Sequence, residues 1–226
     1  MKPRSKRYRQ CLEKVPPKPV PLAEAVKIVK EFPPTKFDSS IQLVMHLGID
    51  PKQADQALRG ALSLPHGIGA TKKVIAFCEG SDAEAAKAAG AIEAGGEELV
   101  KKVADGWLDF DVAVAHPGMM KIVSRLGRVL GPQGKMPSPK SGTVTPQIAN
   151  AVKEYGAGKV EYRNDDGGNV HAVVGKASFP AEQLTENVEA FIRHIRNLRP
   201  TTTKGTYIKK IALATTMSPA VLVEIQ

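Results

Sequence analysis

Phosphate-directed chemistry is most concentrated between Arg125 and Val144. That stretch holds four glycines, three prolines, four cations (Arg125, Arg128, Lys135 and Lys140) and no acid. Glycines such as Gly131 and Gly134 let a backbone approach a ligand closely, and prolines fix the shape of the loop. Exposed amides and cations can then meet phosphate oxygens. A solvated surface loop could share this composition, so the reading depends on the rest of the chain. A nucleotide-hydrolysing P-loop does not fit. Gly134-Lys135 would need Gly at position 129 and Ser or Thr at 136, where the chain has Val129 and Met136. A nucleotide-handling enzyme is the alternative reading, and it lacks its motif.

Other catalytic constellations are missing. His46, His66, His116, His171 and His194 form no His-Glu-x-x-His pair, and Cys11 and Cys78 form no Cys-x-x-Cys pair. No metal site, cofactor or enzymatic activity is expected. No Gly-x-Ser-x-Gly elbow occurs. Two cysteines cannot build a disulfide framework and suit a reducing cytosol. The basic opening stretch leads into Pro16, Pro17, Pro19 and Pro21 instead of an apolar segment, so neither a secretory signal nor a membrane span is expected.

The 226 residues are 42% hydrophobic and 24% charged, the balance of a globular chain. The formal net charge of +9 favours a polyanionic partner, because cations that neutralise phosphates release counterions. Charge is also segregated. Residues 1–18, 121–142 and 193–210 hold seven, five and six Lys/Arg against one acid in total, Glu13. Residues 79–111 hold nine acids against three lysines. Such segregation implies faces with different tasks.

The elements that must position these residues fall into two styles. A helix is predicted from Pro21, with Leu22, Ala25, Val26 and Val29 inward, stopped by Pro33-Pro34. Residues 37–49 alternate as a long strand with one wet face. Phe37, Ile41, Leu43, Met45, Leu47 and Ile49 share one parity, which assigns Phe37 to the core side. Another strand is expected over 58–64. From about 67 to 160 the pattern changes. Short apolar runs at 74–77 and 112–115 alternate with helices at 81–89, 97–104, 119–126 and 145–155, as in a doubly wound α/β domain. Val160–Arg163 and Val170–Val174, around Asp166-Gly167-Gly168-Asn169, read as a hairpin. An amphipathic helix at 180–198 places Leu184, Val188, Phe191, Ile192 and Ile195 inward, and strands at 206–214 and 220–225 follow.

The fold class expected is therefore α+β and α/β: residues 1–66 and 160–226 form a discontinuous α+β domain, and 67–159 form an inserted doubly wound α/β domain. Residues 67–160 carry 12 basic and 10 acidic residues and the remainder 20 and 13, so the outer domain is the better RNA candidate. Each crossing between domains carries two glycines, Gly67 and Gly69 in one and Gly156 and Gly158 in the other. That arrangement predicts a hinge.

Motifs along essentially the whole chain resemble one family. They are Lys6-Arg7-Tyr8, Lys36-Phe37-Asp38, Leu47-Gly48-Ile49-Asp50-Pro51, Arg59-Gly60, Leu64-Pro65-His66-Gly67 and Asp105-Gly106-Trp107. The 125–144 loop, Lys204-Gly205, Tyr207-Ile208-Lys209-Lys210 and Thr215-Thr216-Met217 continue the series. In this order they resemble the universal family of the first large-subunit ribosomal protein, the stalk protein, in its bacterial form. The resemblance implies an inserted two-domain fold and binding to large-subunit rRNA at the base of a mobile stalk. It also implies contact with deacylated exit-site tRNA, repression of the chain's own messenger RNA, and a cytoplasmic, ribosome-bound location among other ribosomal components.

Carried over by position, the rRNA contacts are Lys36, Phe37, Thr215, Thr216 and Met217, with Ser218 beside them. Lys6, Arg7, His171 and Lys210 complete the set. Small hydroxyls and an apolar tip suit the shallow minor groove of RNA, where shape and 2′-hydroxyls are read. Met217 could instead pack within a turn. Arg125, Arg128, Gly131, Gly134, Lys135 and Lys140 form the tRNA- or rRNA-facing loop. Four residues depart from the family pattern: Ser218 for a usual Gly, Gln42 for an acid, Gln133 for Arg and Lys135 for an apolar residue.

Overall fold

The structure, a computed structural model, describes residues 4–53 and 55–225; Lys2 of the basic opening stretch lies outside them. The chain divides into two compact units. One comprises the residues up to Gly69 together with those from Val160 onward; the other is Ala70–Lys159.

In the first unit, α1 (Lys6–Glu13) and α2 (Leu22–Lys30) precede β1 (Ser40–Leu47) and β2 (Arg59–Leu62). Helix α1 occupies a stretch that the sequence marked only as basic. Ser5 caps it by accepting the Tyr8 amide at 3.3 Å, and Cys11 is its one fully buried residue. One anchor in eight mostly polar residues is too faint a period to read from sequence.

The second unit begins with β3 (Val74–Phe77), α3 (Ser81–Ala88), β4 (Glu93–Gly95), α4 (Glu97–Ala104) and β5 (Val112–Ala115). Helical turns then run from Pro117 to Leu130, including α5 (Met120–Val123) and α6 (Gly127–Leu130), and α7 (Ile148–Gly156) closes the unit. The strands are parallel in the order β4-β3-β5. Strands β3 and β5 are buried along their whole length, and their residues divide between two cores. Ile75, Phe77, Ala113 and Ala115 meet Leu99, Val103, Val123 and Leu130, while Val74, Ala76, Val112 and Val114 meet Ala86, Ile148, Val152 and Tyr155. That division is why these strands read as unbroken apolar runs. Strand β4, three residues of Glu-Ala-Gly, was not legible, because it has no β-branched or aromatic residue. Thr145 does not cap α7; its hydroxyl accepts the Gln147 amide one turn earlier, and the helix starts at Ile148.

The first unit resumes with β6 (Val160–Arg163), β7 (Asn169–Lys176), α8 (Ala181–Asn197), β8 (Ile208–Thr215) and β9 (Val221–Val223). An antiparallel sheet has the order β7-β1-β8-β9. Ile41, Leu43, Met45 and Leu47 of β1 are buried in a core shared with Val26 and Val29 of α2 and with Leu184, Val188, Phe191 and Ile195 of α8. The opposite face, bearing Gln42, Val44 and His46, is exposed or half-exposed. The expected 160–174 hairpin is corrected. A tight turn with Gly168 at φ 74° joins the two segments through a single bridge, Asn164 to Val170. Beyond it β6 pairs with β2, and β7 pairs with β1.

Candidate nucleic-acid interface

Antiparallel pairing brings the start of β1 and the end of β8 together, with Ile41 opposite Thr215 and Ser40 opposite Lys176 of β7. The segment 35–39 enters this end of the sheet, and the turn 216–218 leaves it. Lys36, Phe37, Thr215, Thr216, Met217 and Ser218 therefore form one rim, although about 180 residues separate the two groups in sequence.

Local hydrogen bonds fix that rim. The Thr216 amide donates to the Ser40 carbonyl at 3.1 Å, and the Ser40 amide donates to Thr216 Oγ1 at 3.1 Å. The Thr216 hydroxyl also lies 3.3 Å from the Ser40 carbonyl. Thr216 is thus engaged with β1, leaving one lone pair for any ligand. The Ser218 amide donates to the Thr215 carbonyl at 3.2 Å, and Ser218 Oγ accepts the Thr215 amide at 3.0 Å. The serine that departs from the family's glycine closes the turn with its own hydroxyl. On the other side, Thr35 Oγ1 donates to the Phe37 carbonyl at 2.5 Å, and Asp38 accepts from the amide and hydroxyl of Ser178 at 3.2 and 2.9 Å.

The rim's most distinctive feature is apolar. Phe37 is 52% exposed and Met217 55% exposed. The core-side assignment that parity gave Phe37 is corrected: β1 begins only at Ser40, so the alternation does not extend to Phe37. Lys36 beside it is exposed. Arg7 of α1 donates to the Met217 carbonyl at 2.6 Å and to the Pro33 carbonyl at 3.3 Å. Lys6 is exposed on the same helix.

His171 and Lys210 lie elsewhere. His171 is opposite Val44, and Lys210 opposite His46, so both sit along the exposed face of the sheet, away from the rim. His171 Nε2 is 3.7 Å from Asp165. Hydrogen bonds from Asn169 and Gly167 hold the Asp165 carboxyl below its ordinary pKa.

The 125–144 loop belongs to the other unit and differs in kind. The amides of Gly131, Gly134 and Lys135 donate to the carbonyls of Gly127, Gly131 and Leu130 at 3.0, 3.0 and 3.1 Å. The expected cradle of exposed amides is corrected: these three are used within the loop. Gly134 has φ +70°, the left-handed region that suits glycine. A Cβ on Gly131 would come within 2.4 Å of the Gly127 carbonyl. Lys135 turns inward, donating to the Leu108 carbonyl at 3.0 Å with its ammonium 5.0 Å from the Phe110 ring centre. Arg125, Arg128 and Lys140 remain exposed. The buried Tyr155 donates its hydroxyl to the Ser141 carbonyl, and the Ser138 amide donates to Thr143 Oγ1 at 2.8 Å.

The crossing glycines are held on their own sides. The Gly67 amide donates to the Leu64 carbonyl at 3.1 Å, and its carbonyl accepts from Asn187 at 3.0 Å. A Cβ on Gly69 would strike the Phe179 ring at 2.6 Å. Gly156 ends α7, and the Gly158 amide donates to the Tyr155 carbonyl at 3.0 Å. Sequence reasoning missed Asn187. It is fully buried on the inner face of α8, accepts the His66 amide at 3.1 Å, and donates to the carbonyls of Gly67 and Val174. A polar residue three positions after Leu184 on that face was the available signal.

Among the described residues no group of His, Cys, Asp or Glu is arranged to hold a metal ion. Burial pushes the Cys78 thiol up to about 11, the state of an unreactive core cysteine. No helix of the described residues is long and apolar enough to cross a membrane.

The rim combines a fixed backbone with two exposed apolar tips in a basic chain. Residues 29–219 match the Ribosomal protein L1p/L10e family. The chain belongs to that family, and it is a ribosomal protein rather than an enzyme. It is 56% identical over 220 residues to a protein of Rhodopirellula baltica named large ribosomal subunit protein uL1, covering 97% of this chain and 98% of the relative. Proteins of the same name from Clavibacter michiganensis and Streptococcus gordonii are 50% and 48% identical over 223 and 226 residues. Those matches cover 98% and 100% of this chain, and 98% and 99% of the relatives.

Proposed function

We propose that this chain is a constituent of the large ribosomal subunit that binds folded rRNA at the base of the mobile stalk. The observation that carries this reading is that Phe37 and Met217, two exposed apolar side chains, flank the same end of one sheet, where Ile41 pairs with Thr215. Apolar tips beside Lys36 suit a surface that reads RNA shape while a cation meets phosphate. His171 and Lys210 extend the contact along the open face of the sheet. The other unit presents Arg125, Arg128 and Lys140 to deacylated tRNA leaving the exit site. The chain represses its own messenger by binding an RNA that mimics the rRNA site. It works in the cytoplasm, bound to the ribosome.

The glycine-bearing crossings allow the second unit to follow tRNA while the first stays anchored. The hinge we propose lies on the crossings 65–69 and 155–159, with Gly67, Gly69, Gly156 and Gly158 as the residues that absorb backbone rotation. The test is binding of the full chain to a stalk rRNA fragment and to a scrambled RNA of equal length. The stalk fragment binds far more tightly; equal affinity would reduce the protein to a nonspecific polycation.

A further inference from the structure

Arg7 sits on α1, yet its two guanidinium contacts reach the two halves of the rim. One NH2 group donates to the Met217 carbonyl at 2.6 Å and the other to the Pro33 carbonyl at 3.3 Å. These acceptors are 210 and 26 residues away along the chain. Pro33 opens the segment that delivers Lys36 and Phe37; Met217 is the apex of the opposing turn. Helix α1 is itself fastened to the core by the buried Cys11, and the Lys14 ammonium donates to the Glu31 carbonyl at 3.2 Å. A planar fork of donors can serve the Pro33 and Met217 carbonyls at once.

We infer that Arg7 is a positioning residue that braces the 33–37 segment against the 215–218 turn and so sets the spacing of Phe37 and Met217. This replaces the expectation that Arg7 contacts rRNA directly, and it rests on the rRNA-binding reading above. Two of the five guanidinium N–H donors are committed to backbone carbonyls, so the group is oriented by the frame it bridges. Its charge strengthens both hydrogen bonds, and its rigidity fixes the angle between them. The basic opening helix is then part of the binding surface's architecture, not an electrostatic tail.

The geometry separates bracing from phosphate contact, because a lysine keeps the charge but not the fork. An ammonium on a flexible stem cannot reproduce two diverging, coplanar donors. The experiment compares the full chain with Arg7→Lys and Arg7→Gln. Amide hydrogen exchange of residues 215–218 is measured in the free proteins, and affinity for a stalk rRNA fragment is measured across a salt series. Both variants are expected to exchange faster at 215–218 and to bind roughly tenfold more weakly, with the salt slope unchanged. Wild-type exchange at 215–218 in both variants overturns the inference, whatever the affinities. So does wild-type affinity in Arg7→Lys, or a salt slope reduced by about one in Arg7→Gln, the mark of a lost phosphate contact. If the wild-type chain fails to prefer the stalk fragment over a scrambled RNA, the rRNA reading fails, while the exchange data still decide whether Arg7 braces the turn.

Discussion

The rim of the first unit and the 125–144 loop of the second are both rich in features expected of RNA contact, but they are built in opposite ways. The rim shows two apolar side chains and ties one cation to its frame: Phe37 and Met217 project beside the exposed Lys36, while Arg7 bonds two backbone carbonyls. The loop shows cations and hides the rest. Its amides at Gly131, Gly134 and Lys135 close on the loop itself, Lys135 is turned inward, and Arg125, Arg128 and Lys140 face solvent. Apolar tips on a rigid frame discriminate by shape, whereas solvated cations attract any phosphate backbone. On the proposed rRNA-binding reading, specificity belongs to the rim and electrostatic attraction to the loop.

The largest expected effect tests the rim. Met217→Asp places a negative charge at an exposed apolar tip of the rim proposed to meet RNA. Affinity for a stalk rRNA fragment should fall about 100-fold, roughly 2.8 kcal/mol. Circular dichroism should remain native, because the side chain is mostly solvent-exposed and makes its tie through the backbone. Thr216→Val is a poorer probe of contact, since it removes the acceptor for the Ser40 amide and loosens the frame.

Stability of the loop's scaffold comes next. Tyr155→Phe removes the hydroxyl that donates to the Ser141 carbonyl in a buried site. Urea denaturation should show a loss of roughly 1–3 kcal/mol, the cost of leaving a buried polar group unpaired. Binding of the stalk rRNA fragment should not change, and a matching loss of rRNA affinity would erase the division between the regions.

Replacing Arg125, Arg128 and Lys140 together with Ala sharpens the other half of the comparison. Binding to deacylated tRNA should weaken, and the slope of log affinity against log salt should fall by up to about one per residue removed. An unchanged slope would show that the loop's cations do not meet phosphate.

The smallest effect is a pH dependence confined to the first unit. Burial lowers the pKa of His194, whose Nε2 is 2.8 Å from the Tyr162 hydroxyl. The unfolded chain therefore binds more protons than the folded one as pH falls below the ordinary value of 6.5. The resulting stability is complete above that value and is lost as pH falls through the lowered folded pKa. Denaturation midpoints of the wild type and His194→Gln should converge as the solution is acidified; parallel curves would dismiss the linkage.

Much of this architecture was legible. The strict alternation of Ile41, Leu43, Met45 and Leu47 announced a half-wet strand, and the apolar runs at 74–77 and 112–115 announced strands covered on both faces. What stayed hidden depended on distant partners. Helix α1 gains its place from one buried cysteine and β4 from pairing with β3, not from any local period. Motif resemblance supplied the rim residues, but only the pairing of Ile41 with Thr215 explains why they meet. Composition misled at the loop, because amide and ammonium donors counted as available are satisfied internally. Asn187 was passed over because a polar residue on an apolar helix face has meaning only once His66, Gly67 and Val174 surround it.

The most direct test measures preference rather than affinity. The ratio of binding to a stalk rRNA fragment over a scrambled RNA of equal length should be followed across a salt series. Three proteins are compared: the wild type, Met217→Asp, and the triple variant Arg125→Ala, Arg128→Ala, Lys140→Ala. Assigning specificity to the rim predicts that Met217→Asp collapses the ratio toward one at every salt concentration, while the triple variant keeps the wild-type ratio. A preserved ratio in Met217→Asp, or a collapsed one in the triple variant, would contradict it.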